Sequence, residues 1–146
     1  VCTRHHAGSD RGSDRGEAVG TLIVEQTTEL PVEPVSAGRA RRFVTAALQE
    51  WSLPGILDET TLLTSEVVTN ALLHSASSSI RLRLVLLVDA VRVEVDDESV
   101  LQPRPRHYSP ESGTGRGLAL VEAAARCWGA TPTAHGKTVW FEIATA

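Results

Sequence analysis

A chain of 146 residues with 42% hydrophobic content is long enough for one domain that buries a continuous core on its own. Its formal net charge of -4 gives no overall positive field to condense on nucleic acid or anionic lipid, which excludes non-specific DNA binding as a function class. Cys2 and Cys127 form neither a CxxC redox pair nor a zinc-ligand pattern.

Val1 to Gly20 is rich in Arg, His, Asp, Ser and Gly, too polar for a signal peptide or a spanning helix. It reads as a disordered leader, because the run from Gly8 to Gly16 buries too little apolar surface to offset its ordering entropy. A cytoplasmic protein with a single domain over residues 21–146 is expected. Thr21 to Leu30, rich in Val, Ile, Leu and Thr and closed by Pro31, suits a first strand. Ser36 to Trp51 then places Ala40, Phe43, Val44, Ala47 and Leu48 at helical spacing, with Arg39, Arg41 and Arg42 between them. Pro54-Gly55 breaks the chain, and Ile56 to Ser75 follows as a long, largely apolar helix. Ser79–Val88 and Val91–Asp96 read as a hairpin around Asp89-Ala90. Glu98 to Ser112, with three prolines, several charges and no periodicity, reads as a long mobile loop of the kind that usually carries function. Gly113 to Gly117 opens a helix running to about Cys127, and a second hairpin joins Ala130–Ala134 to Thr138–Ile143 around His135-Gly136-Lys137. This order predicts an α/β two-layer sandwich, with helices on one face of a mainly antiparallel sheet.

Three places carry residues suited to chemistry. Glu66, Asn70 and His74 are spaced by four, so each lies about 40° around the second helix from the last and the three form one stripe. Leu62 and Leu73 flank it on one side, Leu63 and Val67 on the other. A polar row inside an apolar helix is costly unless partners or a ligand satisfy it. Asp97 stands where the Val91–Val95 strand enters the long loop, as a turn residue or as an acceptor for a ligand amine. Asp96 is beside it, and alternation leaves open which of the two faces inward. Gly113-Thr114-Gly115-Arg116-Gly117-Leu118 joins a flexible turn to a helix N-terminus, which offers unpaired N–H groups and a positive dipole end to a phosphate. A dinucleotide fold would put such a turn after its first strand; here it comes late, so that reading fails on context.

Taken together these motifs resemble a known superfamily. Glu66-Val67-Val68-Thr69-Asn70-Ala71-Leu72-Leu73-His74 looks like the asparagine box of the GHKL ATPases, the superfamily of gyrase, histidine kinases and MutL. Asp97-Glu98-Ser99 resembles the aspartate box, with Ser99 where the family usually has glycine. Gly113 to Leu118 resembles the glycine box, and Gly136-Lys137-Thr138-Val139 the final strand motif. The short length, Trp128-Gly129 and Lys137-Thr138-Val139-Trp140 look most like the stand-alone actinobacterial anti-sigma-factor kinases. The resemblance implies a Bergerat-type ATP-binding fold, ATP and Mg²⁺ as ligands, and serine/threonine kinase activity toward an anti-sigma-factor antagonist, with a sigma factor as the sequestered partner. It implies that Asn70 coordinates Mg²⁺ and that Glu66 acts as base or orients the nucleophile. Asp97 would accept from the adenine amine, with Thr138 supporting it through water. Gly113, Thr114, Gly115, Arg116, Gly117 and Leu118 would wrap the phosphates, with Arg104 and Arg106 neutralising charge. It allows a homodimer and calls for no direct nucleic-acid or membrane partner. Phosphoryl transfer needs mainly positioning and charge neutralisation, which these residue types supply. Two other classes are weighed beside the kinase: a nucleotide-gated protein that sequesters its partner without phosphorylating it, and a plain interaction domain with no nucleotide.

Overall fold

Leu82, Leu84, Val91, Val93, Val95, Val139, Phe141 and Ile143 fall in one strand phase, and every one of them is buried. An antiparallel sheet with one apolar face needs a second layer over it. The computed structural model, which describes residues 22–98 and 114–145, supplies that layer with three helices. The elements are β1 (Leu22–Pro31), α1 (Val35–Glu50), α2 (Leu57–His74), β2 (Ser79–Leu87), β3 (Ala90–Asp97), α3 (Thr114–Ala124), β4 (Cys127–Pro132) and β5 (Lys137–Ala144), with a 3-10 turn at Pro54–Ile56 before α2. The sheet order is β1-β2-β3-β5-β4, and each of these neighbouring pairs is antiparallel. This is the expected two-layer α/β architecture. The leader and the loop over residues 99–113 lie outside the described residues.

Helix α1 buries Ala40, Val44, Ala47 and Leu48, the three-to-four spacing that marked it as amphipathic. Ser36, fully buried at its start, donates its hydroxyl to the Pro31 carbonyl at 2.5 Å and so ties the end of β1 to the first turn of the helix. Helix α2 buries Leu63, Val67, Val68 and Ala71 against the same core. Each large apolar side chain taken fully out of water contributes about 1.5–3 kcal/mol.

The boundary between α3 and β4 differs from the sequence expectation. Helix α3 ends at Ala124, and the Arg126 N–H already donates to the Glu142 carbonyl, so the chain has joined the sheet before Cys127. Strand β4 therefore starts at Cys127, three residues earlier than expected. Cys127, Trp128, Gly129 and Ala130 are all buried, and without alternation a short apolar run does not distinguish strand from helix.

The opposite sheet face is polar and cross-linked by charge. Arg83 pairs with Glu25 at 2.6 Å and Glu94 at 2.8 Å, and Arg92 with Glu94 and Glu142, both at 2.9 Å. Arg126 continues the chain to Glu142 and Asp89, both at 3.2 Å. The bond from Arg126 is the main reason the Asp89 carboxyl is held below its ordinary pKa. Trp140 shares this face, with the Arg92 guanidinium carbon 4.0 Å from its ring centroid. Its ring covers Gly129, where a Cβ would come within 2.8 Å of Trp140 Cζ2.

Candidate functional site

The middle helix, α2, contacts α1, α3 and the central strand β3. Asp97 ends β3 in phase with Val91, Val93 and Val95, so its side chain enters the layer between sheet and helices, and the residue is only 5% exposed. Asp96 has the other phase: half-buried, it accepts from Thr138 Oγ1 at 2.5 Å and lies 4.0 Å from Arg81. The inward-facing aspartate is therefore Asp97.

The register that turns Asp97 inward also corrects the expectation for its support. Asp97 is paired with Lys137 across the β3–β5 ladder, and Asp96 with Thr138. Thr138 thus lies on the face opposite the three described helices, bonded to Asp96, and not beside Asp97. Lys137 takes the inner position. It begins β5 instead of closing the turn, and its Nζ is 3.3 Å from Asp97 Oδ1, with the two side chains 4% and 1% exposed. Read backwards from Ile143, Phe141 and Val139, the strand period already places Lys137 in the buried phase; its charge argued for solvent.

Gly136 holds this corner together. A Cβ there would overlap the Asp97 carbonyl oxygen and approach Glu98 Cα to 2.5 Å, so only glycine lets the β4–β5 turn lie on the end of β3. Because the obstacle is backbone and not a flexible side chain, Gly136→Ala is expected to destabilise the protein by about 1–3 kcal/mol, the usual range for overpacking. Thermal melting checks this; an unchanged midpoint would show that the turn moves aside freely.

On α2, Glu66 and Asn70 are half-buried and His74 is exposed. Their flanks are unequal: Leu63 and Val67 are buried, whereas Leu62 and Leu73 are 48% and 60% exposed. The stripe is therefore the border between the core face of α2 and its outer face, where a carboxylate and an amide stay accessible to a ligand at the rim of the layer. His74 lies beyond that border.

Of the glycine turn, Gly113 is outside the described residues. Thr114, Gly115, Arg116, Gly117 and Leu118 form the opening of α3, in line with a helix expected to open over Gly113 to Gly117. Ser99, Arg104 and Arg106 also lie outside the described residues.

Among the described residues no group of three or more His, Cys, Asp or Glu is placed to hold a metal ion. The donor set at the stripe, one amide and one carboxylate, suits a hard cation that keeps several waters and takes most of its ligands from phosphates. No helix of the described residues is long and apolar enough to cross a membrane.

Comparison with known proteins agrees with this geometry. The family model described as histidine kinase-like ATPase domain matches residues 30–143. Among curated proteins none matches the sequence.

Proposed function

The chain belongs to the histidine kinase-like ATPase family, and from that premise we propose that it binds ATP with Mg²⁺ and acts as an anti-sigma-factor-like regulator, phosphorylating a serine or threonine of an antagonist protein. The observation that carries this reading is Asp97, a carboxylate buried on the helix-facing side of the central strand in a fold whose family binds ATP. A buried carboxylate is well suited to recognise an amine, since a charge-assisted hydrogen bond is about twice as strong as a neutral one.

The residues then divide the work. Asp97 accepts from the exocyclic amine of the base and orients the nucleotide. Asn70 is the side chain that would hold Mg²⁺, and the metal supplies charge neutralisation at the phosphates when bound. Glu66, one helical turn before Asn70 on the same border of α2, receives or orients the proton of the attacking hydroxyl. Thr114, Gly115, Arg116, Gly117 and Leu118, at the start of α3, provide N–H donors and a positive helix end for the phosphates, with Gly113 before them in sequence.

The protein partners, a sigma factor and its anti-sigma antagonist, rest on the resemblance of the Trp128-Gly129 and Lys137–Trp140 segments. Purified protein incubated with labelled ATP, Mg²⁺ and candidate antagonists is expected to transfer label to a serine or threonine of the antagonist it captures. A protein that binds ATP and captures an antagonist yet leaves it unlabelled is a nucleotide-gated binder instead of a kinase.

A further inference from the structure

Lysine is rarely buried, because removing an ammonium and its partner from water costs several kcal/mol per ion, and the mutual attraction offsets this only with good geometry. Lys137 stands at the first position of β5, directly after the exposed residues Thr133, Ala134 and His135 of the hairpin turn. It turns inward nonetheless, onto Asp97.

Three features fix that arrangement. Lys137 and Asp97 are direct cross-strand neighbours, so their Cβ atoms start on the same face. Gly136 presses the adjacent turn onto the backbone of Asp97 and Glu98, which leaves the Lys137 main chain little freedom. Val95 and Val139, the next pair in phase on the two strands, are buried beside it on the same face. The ammonium compensates the charge of the carboxylate and restricts its orientation. An acceptor held in place before the ligand arrives binds with less ordering cost.

We infer that Lys137 is a positioning residue for base recognition: it sets the Asp97 carboxylate for the exocyclic amine of a 6-aminopurine, and through Asp97 it makes the site selective for that amine. This rests on the ATP-binding reading given above. Lys137 offers donors only, so it cannot replace Asp97 as the acceptor.

The test compares ATP with purine riboside triphosphate, which lacks the 6-amino group, by calorimetry on the full chain. Wild type is expected to prefer ATP by about ten- to a hundredfold, the value of a hydrogen bond to a charged group. Lys137→Met should reduce that preference to within about threefold by weakening ATP while leaving the analogue nearly unchanged, since only ATP uses the charged acceptor. Lys137→Arg, which keeps the charge, should restore most of it. Melting temperatures are measured alongside, and if Lys137→Met does not fold, Lys137→Gln keeps the stem and a donor without the charge and should lower the preference in the same direction. An undiminished preference in the neutral variants, or an equal loss for both nucleotides, would show that Lys137 only braces the fold and would overturn the inference with ATP binding intact. Wild-type protein that binds neither nucleotide would overturn the ATP-binding reading and the role of Lys137 with it.

Discussion

Glu66→Ala is expected to leave ATP affinity close to wild type while lowering phosphoryl transfer by about 10²–10⁴-fold, the usual contribution of a positioned base. Glu66 and Asn70 lie one turn apart on the same border of α2, both half-buried, so position alone does not separate their roles. Chemistry does. A metal ligand contributes in the bound state and in the transition state alike, so Asn70→Ala should weaken metal-dependent ATP binding and transfer together. A base contributes only once the hydroxyl begins to lose its proton. Calorimetry with and without Mg²⁺, paired with label transfer, reads both variants. If Glu66→Ala abolishes ATP binding as well, the glutamate is structural or metal-linked, and its presence says nothing about catalysis.

The second large effect is expected at Asp97. Asp97→Asn replaces a charged acceptor with an amide that presents a donor toward the base amine, and ATP binding should weaken by about ten- to a hundredfold, from a loss of about 1.5–3 kcal/mol. Asp96→Asn is the matched control. It makes the same chemical change one residue earlier, on the opposite face, where Asp96 bonds Thr138, and ATP affinity should stay near wild type. Loss of affinity in Asp96→Asn with none in Asp97→Asn would mean that the nucleotide is read from the face opposite the described helices.

How far the sequence carried these assignments depends on how local each determinant is. The order of the elements was legible because the periodicity of α1 and the alternation of β3 and β5 are carried within each segment. Asp97 was legible in part: its phase with Val91, Val93 and Val95 points inward, but a carboxylate on a buried phase contradicts the pattern that would place it. The same conflict hid Lys137. The two charges face each other across the ladder, and that pairing joins residues 97 and 137, which no local pattern connects. The resemblance implied Thr138 as the support of Asp97, whereas the register puts Thr138 across from Asp96, one residue away and on the other face. The unequal flanks of the α2 stripe were also out of reach, since Leu62 and Leu63 are identical in sequence and differ only in what the fold lays over them.

Trp140 sits on the charged face opposite the described helices, covering Gly129 and touched by Arg92, whereas Trp128 is buried within the helix-side core and Trp51 packs against it. The three indoles are therefore optically distinct reporters. Emission from Trp140 is expected to follow the pairing of β4 with β5 and the integrity of the ion-pair chain, since its ring lies over Gly129 and beside Arg92, on the sheet face opposite Asp97. Replacing Trp140 with phenylalanine leaves both remaining chromophores on the helix side, so intrinsic fluorescence of that variant is tuned to changes between the helices and the sheet.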